Sequence, residues 1–438
     1  LESVADNARD IDFALRWGFG WNQGPFETWQ AAGWQQVATW VKEDIDAGKA
    51  LCNAPLPNWV FDGLVKDNAG VHTAQGSWSS KKMMYVPRST LPVYQRQIFR
   101  APILGDGVAD GKTAGITVFE DESVRIWHQN DDVLVLSLKT KMHVIGAGVI
   151  SGLEKAIDEA EKNYKGLVIW SADAADGGAF SAGADLQSML PLFMSGGVNA
   201  IEPEVVKLQN AHQALKYANV PVVAAVSGMA LGGGCELMMH AAKRVASFES
   251  YIGLVEVGVG LIPAGGGLKE AAVRAAAEAK GNDILQFLKS SFTHAAMATV
   301  SKSAHEAQKM GYFTQDDVIV FNPYELLHVA KVEARAMFDA GYRPKLKMPV
   351  PVTGRYGMAT IMAQLVNMRD GGFISAHDFK LGSMIAEVVS GGDIESGSLV
   401  SEQWLLDLER KAFMELLNHP KTQERIMGMM QTGKPVRN

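Results

Sequence analysis

The chain has 438 residues, of which 47% are apolar and 20% are charged, and this composition excludes a disordered or fibrous protein. Its length exceeds that of one ordinary core, so we expect two or three folded units. The formal net charge of −7, with no lysine-rich or arginine-rich stripe, disfavours general nucleic-acid binding. The two cysteines are too few for a disulfide scaffold, and the chain shows no signal peptide. These features predict a cytoplasmic protein.

The first segment, residues 1–53, is predicted to be helical. Ile11 and Leu15 alternate with charged residues at near-helical spacing, and residues 37–45 repeat that pattern. The chain starts at Leu1 rather than at a methionine, already inside an amphipathic segment. We therefore expect it to be part of a longer chain.

Residues 54–130 have a different composition. Glycines are scattered through the segment and no helical period persists. The prolines that interrupt it are Pro55, Pro57, Pro87, Pro92 and Pro102. The pattern predicts an extended connector with short strands.

Strand-like and helix-like stretches alternate from residue 131 onward. The apolar strand candidates are residues 133–138, 166–170 and 220–226, and a helix is predicted over 153–164. Short connections between such elements predict a mainly parallel, buried sheet.

Further along, the pattern becomes helical to the end of the chain. We assign residues 131–275 to an α/β core and 276–438 to a helical region. Residues 220–242 are apolar, but Pro221 and Glu236 favour a buried strand, a turn and a helix over a membrane span. No membrane insertion is expected.

Two glycine-rich loops each follow a strand candidate and precede a helix candidate. They are residues 180–185 (FSAGAD) and 231–236 (LGGGCE). Helix starts leave unpaired backbone N–H groups, and two such donors aimed at one point would stabilise an oxygen on which negative charge develops. Glu236 and the later Glu256 would add two carboxylates for acid–base chemistry. Together these features predict a reaction site.

Each signal alone also has a purely structural explanation. Three glycines before a helix serve close strand–helix packing, and Asp185 alone fits the first turn of a capped helix. Glu256 alone fits a surface or ion-paired carboxylate. Their joint order and spacing favour the reaction site.

From about residue 131 to the C-terminus, the sequence resembles the crotonase (enoyl-CoA hydratase/isomerase) superfamily. The resemblance rests on residues 180–185, 220–226 (VPVVAAV), 232–237 (GGGCEL) and 261–267 (LIPAGGG). It implies an α/β fold, a crotonase-type β-β-α spiral with a C-terminal helical region. The expected activity is hydration of a 2-enoyl-CoA thioester.

The resemblance also implies roles for individual residues. The oxyanion donors would be the backbone N–H groups of Ala182 and Gly233. Glu236 and Glu256 would hold the water between them. The usual assignment in the family makes the Glu236 equivalent the base and the Glu256 equivalent the acid, which the sequence alone leaves open.

Substrate contacts are implied as well. In the family, backbone around Ser181, Gly183 and Ala184 holds the adenine end of CoA. Lys139 and Lys141 are candidates for its phosphates, although an exposed lysine is usually just solvated.

The N-terminal residues carry a second resemblance. Residues 10–20 (DIDFALRWGFG) and 24–27 (GPFE) resemble the helical C-terminal domain of 3-hydroxyacyl-CoA dehydrogenases. Residues 1–53 would then be a remnant of that domain, and the parent protein a fused β-oxidation enzyme with its NAD-binding domain upstream of Leu1. NAD is expected only there, and this chain is expected to need no cofactor. Better-known multifunctional relatives carry the hydratase first, so the order here departs from theirs.

Several alternatives stay open. Enoyl-CoA isomerisation needs only the Glu256-type carboxylate, and a non-catalytic acyl-CoA-binding scaffold needs neither carboxylate. Relatives commonly trimerise through their C-terminal helices, so a homo-oligomer is one expectation, and a fused N-terminal segment that blocks this surface is the other.

Two further motifs are weaker. Residues 143–152 (HVIGAGVISG) imitate a dinucleotide-binding loop, with Asp173 about where a ribose-binding acid would stand, but the third glycine comes one residue late. His212 and His240 have no partners at metal-ligand spacing. We expect both histidines to be structural and no metal to be bound.

Overall fold

The computed structural model describes residues 1–97, 103–104, 114–172 and 178–438. The chain divides into two units, Leu1–Ala114 and Gly115–Asn438. Each unit has its own buried cluster of apolar side chains.

The first unit combines short helices with a small sheet. Its helices are α1 (Ala8–Phe19), α2 (Pro25–Ala32), α3 (Trp34–Asp46), α4 (Gly63–Asp67) and α5 (Pro92–Gln95). Its strands are β1 (His72–Thr73), β2 (Gly76–Ser79) and β3 (Met84–Val86), which pair antiparallel in the order β1-β2-β3. The helices predicted for residues 1–53 are therefore present.

Aromatic side chains build the core of this unit. Trp34 from α3 packs against Trp59, whose ring lies 6.0 Å from that of Trp78 on β2. A buried hydrogen bond joins Asp12 of α1 to His72 of β1, with Oδ2 and Nε2 2.6 Å apart. The helices and the sheet thus share one core.

This arrangement corrects the predicted connector, residues 54–130. Its first part packs onto the helices of residues 1–53, and its last part belongs to the second unit. The sequence shows no period here because the elements are short. Burial of isolated tryptophans such as Trp59 and Trp78, rather than a periodic apolar face, holds them.

The second unit is built around an eight-stranded sheet. Its strands are β4 (Ile116–Glu120), β5 (Val124–His128), β6 (Leu134–Leu138), β7 (Leu167–Ile169), β8 (Ala179–Ser181), β9 (Val222–Leu231), β10 (Lys243–Gly253) and β11 (Val318–Val320). The order in the sheet is β11-β10-β9-β7-β6-β5-β4, and β8 pairs with β9. The strands from β6 to β11 pair in parallel, while β4, β5 and β6 form an antiparallel meander.

Helices follow and cover this sheet. They are α6 (Ala147–Asn163), α7 (Leu186–Gly196), α8 (Val198–Lys216), α9 (Gly233–His240), α10 (Gly267–Ala279), α11 (Leu285–Ala296), α12 (Ala304–Lys309), α13 (Leu326–Asp339), α14 (Gly354–Asp370), α15 (Ala376–Val389), α16 (Glu402–Leu417) and α17 (Pro420–Thr432). A two-stranded antiparallel ribbon is formed by β12 (Val350–Pro351) and β13 (Leu399–Val400).

The α/β fold class is confirmed, and the β-β-α order repeats as β5-β6-α6 and β7-β8-α7. The three predicted strands correspond to β6, β7 and the first half of β9. The helix predicted over 153–164 lies in α6, which begins earlier, at Ala147.

The long strand β9 places the candidate site. Its first half pairs with β7, and its last residues pair with β8, where Ser181 lies opposite Ala230. Between the two halves Gly228 has φ of +65°, which a residue with a side chain rarely adopts. The ends of β8 and β9 therefore lie side by side, and so do the loops that follow them.

The boundaries of the predicted core, 131–275, also need correction. Strands β4 and β5 lie before residue 131 yet pair with the sheet, and β11 lies after residue 275 at its other edge. Strand pairing over long sequence separations sets these limits, and local patterns do not report it.

The structure also bears on the dinucleotide-like motif and on the apolar segments of the sequence. In residues 143–152, Ile145 forms a lone parallel bridge with Ala184 instead of a nucleotide-binding strand, and α6 starts at Ala147. Asp173 lies outside the described residues. In the described part of the chain, none of the helices has the length and apolar character needed to cross a bilayer.

Candidate active site

The two glycine-rich loops predicted from the sequence are in contact. Gly183 has φ of +107°, and a Cβ built there would lie 2.9 Å from Leu231 O and 3.4 Å from Gly233 N. A Cβ built on Gly233 would lie 3.3 Å from Ala184 N. Only glycine allows both this backbone conformation and this close approach.

Two backbone N–H groups are free at this contact. Gly233 is the first residue of α9, so its N–H has no partner in the preceding turn. On one side of the loop, the Ile145 N–H donates to the Gly183 carbonyl and the Ile145 carbonyl accepts the Asp185 N–H. The Ala184 N–H lies on the other side. Among the described residues, neither the Ala184 nor the Gly233 N–H donates to another group. They form a ready pair of donors.

The predicted donor Ala182 is corrected by this geometry. Its N–H donates to the carbonyl of Met142 at 3.1 Å and is therefore already used. In a regular extended segment, residues 182 and 184 would direct their N–H groups to the same side. The left-handed backbone at Gly183 breaks that alternation, so Ala184 and not Ala182 presents its N–H beside Gly233.

Glu236 stands in the first turn of α9 and is 2% exposed. Its Oε1 atom accepts hydrogen bonds from the N–H groups of Gly265 at 2.9 Å and Gly267 at 2.8 Å. Burial raises the pKa of this carboxyl to about 7, against the lowering effect of the two N–H donors and the charge of Lys269. Glu236 is thus close to half ionised at neutral pH.

Glu256 begins a short 3-10 turn, Glu256–Val259, that follows β10. A Cβ built on Gly232 would lie 3.2 Å from its Oε1 atom, so the carboxyl faces the glycine loop. Its Oε2 atom is buried without a hydrogen-bond partner in the described part of the chain. Burial, and after it the charge of Glu236, raises the pKa of Glu256 well above its usual value. The protonated form of Glu256 is therefore favoured over that of an exposed glutamate.

The remaining candidate residues are placed as follows. Ser181 is fully buried, and its Oγ accepts the Gly183 N–H at 3.2 Å, so its side chain already has a partner. Lys141 is exposed in the turn Lys141–His143. The carbonyl of the neighbouring Met142 accepts the Ala182 N–H, so Lys141 lies next to the first glycine loop.

The two histidines lie behind the site. His212 Nδ1 is 2.7 Å from Gly265 O, and His240 Nδ1 is 2.7 Å from the backbone carbonyl of Glu236. Burial lowers the pKa of both, to about 4 for His212, so both are neutral. In the described ranges no three His, Cys, Asp or Glu side chains are grouped as metal ligands would be.

Sequence reasoning missed Glu409, which is completely buried on α16. Its carboxylate accepts the N–H groups of Gly266 at 2.9 Å and Lys269 at 2.6 Å, in the same turn that binds Glu236. It also missed Arg425 of α17, which is fully buried and donates to Val257 O at 3.1 Å. Neither residue stands in a motif, and each meets its partner across more than a hundred residues of sequence.

The chain is similar to several known proteins. Residues 129–315 match the family model described as enoyl-CoA hydratase/isomerase. The whole chain aligns at 35% identity with 53% of a probable 3-hydroxyacyl-CoA dehydrogenase of Bacillus subtilis. At 26% identity, 98% of the chain aligns with 51% of a putative fatty acid oxidation complex trifunctional enzyme of Rickettsia felis.

A third relative matches only part of the chain. The mitochondrial methylglutaconyl-CoA hydratase of Mus musculus is 30% identical over 37% of this chain and 51% of its own length. The chain spans about half the length of the first two relatives.

Proposed function

Starting from an enoyl-CoA hydratase/isomerase domain at residues 129–315, we propose that this chain adds water to a 2-enoyl-CoA thioester and forms the 3-hydroxyacyl-CoA. One observation supports this proposal most strongly. The free N–H groups of Ala184 and Gly233 lie beside two buried carboxyl groups with raised pKa values, Glu236 and Glu256.

The first step is addition of the water oxygen. The ionised Glu236 takes a proton from water while the hydroxyl oxygen bonds to Cβ of the substrate. The electron pair of the double bond moves toward the thioester, and negative charge develops on its oxygen. The N–H groups of Ala184 and Gly233 stabilise that charge, and one such donor is worth about 3–4 kcal/mol in related sites.

Protonation completes the reaction. Glu256 gives its proton to Cα, so the elements of water are added across the double bond. Glu236 is then protonated and Glu256 ionised, and proton transfer from Glu236 to Glu256 restores the starting state. The pKa order supports this assignment, because the carboxyl with two N–H donors is the easier one to ionise.

We also propose contacts between the first glycine loop and the CoA part of the substrate. Backbone groups of Ser181, Gly183 and Ala184 would meet the adenine end of CoA, and Lys141 its phosphates. The exposed position of Lys141 beside the first glycine loop is compatible with that role.

For the whole protein, we infer a fusion with an NAD-dependent 3-hydroxyacyl-CoA dehydrogenase. The match of the entire chain to a relative of that name, at about half of the relative's length, supports it. NAD would bind only outside this chain, and hydration itself requires no cofactor. A cytoplasmic location and the oligomeric state stay predictions.

The decisive experiment follows the absorbance of the conjugated thioester. It should fall when the chain is added to a 2-enoyl-CoA, and Glu236→Gln or Glu256→Gln should each stop the fall. Undiminished turnover in both variants would rule out the mechanism. A rise in absorbance with a 3-enoyl-CoA, retained in Glu236→Gln, would identify an isomerase instead. Binding of acyl-CoA without turnover would identify a scaffold.

A further inference from the structure

We propose that Glu409 and Arg425, on the two C-terminal helices α16 and α17, are positioning residues for the two carboxyl groups of the site. Glu409 holds the turn that orients Glu236, and Arg425 holds the turn that carries Glu256. This inference rests on the proposed function and adds residues that touch neither substrate nor the reacting atoms.

The turn at the start of α10 lies between two carboxylates. The N–H groups of Gly265 and Gly267 point to Glu236, whereas that of Gly266, between them, donates to Glu409. Glu409 also accepts the N–H of Lys269. These donors belong to the first turn of a helix, where N–H groups have no helical partner and anions are favoured. Displacing Gly266 would therefore move both donors of Glu236.

Helix α8 fixes the carbonyl groups of the same turn. Gln209 Nε2 donates to Ala264 O at 2.8 Å and to Leu406 O, on α16, at 3.0 Å. His212 contacts Gly265 O. The carbonyls of Ala264 and Gly265 are thus held by α8, whereas the N–H groups of Gly266 and Lys269 are held by Glu409. Loss of Glu409 would leave two buried N–H groups without an acceptor.

The turn of Glu256 is held by α17 in a comparable way. Arg425 donates to the carbonyl of Val257, the residue after Glu256, and Thr422 Oγ1 donates to Gly260 O at 2.7 Å. The Arg425 guanidinium is itself fixed by Asp378, at 2.8 Å. A buried guanidinium needs such partners to offset its desolvation. The 3-10 turn is therefore anchored at both ends to one helix.

The consequence concerns the spacing of acid and base. Catalytic groups must be held within about 0.5 Å of their productive positions. Glu409 acts on the turn that orients Glu236, and Arg425 acts on the turn that carries Glu256. Because neither acts on the ligand, their loss should lower kcat and leave KM nearly unchanged.

The first test measures hydration by conservative variants. We expect Glu409→Gln, which keeps one acceptor oxygen, and Arg425→Lys, which keeps the charge, to lower kcat about 10- to 100-fold, with KM within about threefold. Glu415→Gln on α16 and Arg355→Lys are matched controls, because both side chains are exposed. Unchanged kcat in Glu409→Gln and Arg425→Lys would overturn the proposal.

The second test separates positioning from a general loss of stability. Glu409→Gln should have no further effect on the residual rate of Glu236→Gln, and Arg425→Lys none on that of Glu256→Gln, since each acts through the residue already removed. If Glu409→Gln lowers kcat by the same factor in the wild type and in Glu236→Gln, its role as a positioning residue is contradicted.

A third measurement does not need turnover. Amide hydrogen exchange at residues 265–269 should accelerate in Glu409→Gln and at 257–260 in Arg425→Lys, with the central strands unchanged. Unaltered exchange at those turns would also overturn the proposal. If the wild-type chain is inactive but exchange at these turns is accelerated in the two variants, the hydratase function is refuted and the anchoring role of the two residues stands.

Discussion

Glu236 Oε1 lies 2.8 Å from the amide nitrogen of Gly267, 31 residues further along the chain. The bond joins the first turn of α9 to the first turn of α10, so one carboxylate serves the N-termini of two helices. It also partly offsets the effect of burial on the Glu236 pKa. The result is a buried carboxyl that ionises near neutral pH.

The pH dependence of hydration should reflect that carboxyl. Because the proposed base must be ionised, kcat/KM should fall about tenfold per pH unit below a midpoint near 7, the pKa of Glu236. A loss of activity at higher pH should come from ionisation of Glu256, whose pKa burial raises well above its usual value. Initial rates between pH 5 and 10 measure both limbs. A rate that stays flat down to pH 5 would exclude Glu236 as the base.

The stability of a Glu236→Gln variant should depend on pH in a defined direction. Glu236 has a folded-state pKa raised from 4.5 to about 7, so its protonated form stabilises the fold below pH 4.5, and that stabilisation is lost as the pH rises through 7. Glutamine does not ionise. From pH 5 to pH 8, the free energy of unfolding of the variant should therefore rise relative to that of the wild type by on the order of 3 kcal/mol.

Urea unfolding of both proteins at these two pH values measures the gain. Glu278→Gln is the control, because Glu278 is exposed on α10 and its difference from the wild type should not change with pH. If the difference in unfolding free energy between the variant and the wild type is the same at pH 5 and pH 8, the pKa of Glu236 is not raised.

Adding one methyl group at Gly233 should disable the donor pair. In Gly233→Ala the new Cβ would lie 3.3 Å from Ala184 N, so it would push the two loops apart. We expect kcat to drop about 100- to 1000-fold, as when one oxyanion donor is removed. Gly18→Ala in α1, where a Cβ meets nothing within 4 Å, should leave the rate unchanged. A fully active Gly233→Ala enzyme would count against this donor pair.

The first unit offers a test that is independent of catalysis. Asp12→Ala should destabilise it by roughly 3–5 kcal/mol, because His72 and the N–H of Phe26 lose a buried partner. Unfolding in urea, followed by the fluorescence of the tryptophans around Trp34, measures this cost. Asp46→Ala, which removes an exposed pair with Lys42, should change stability by less than about 1 kcal/mol. Similar losses in the two variants would refute the structural role of Asp12.

Much of the second unit was predictable because its signals are local. The apolar runs of β6, β7 and β9 and the glycines before α9 report backbone requirements of their own segments. Glu236 directly follows those glycines in sequence, and Glu256 was selected by its place in the order of the motifs. Their selection as candidate carboxylates therefore needed no tertiary information.

The first unit was harder to predict. Residues 54–97 form short strands and turns whose stability depends on contacts of Trp59 and Trp78 with distant helices. Such contacts have no period in the sequence. The segment therefore has the pattern of a connector although it is part of a folded core.

The sequence alone determined the strands β6, β7 and β9, the two glycine loops and the candidate pair of carboxylates, because these depend on residue types and motif order along the chain. Only the tertiary structure decided that Ala184 rather than Ala182 presents its N–H, that Glu236 ionises more readily than Glu256, and that Glu409 and Arg425 stand behind them. The direction of an N–H depends on φ at Gly183, and burial depends on what packs against a side chain. Gly183 takes this φ where the second glycine loop packs against it, and the neighbours of each buried carboxyl come from distant segments, so the motif alone gives neither.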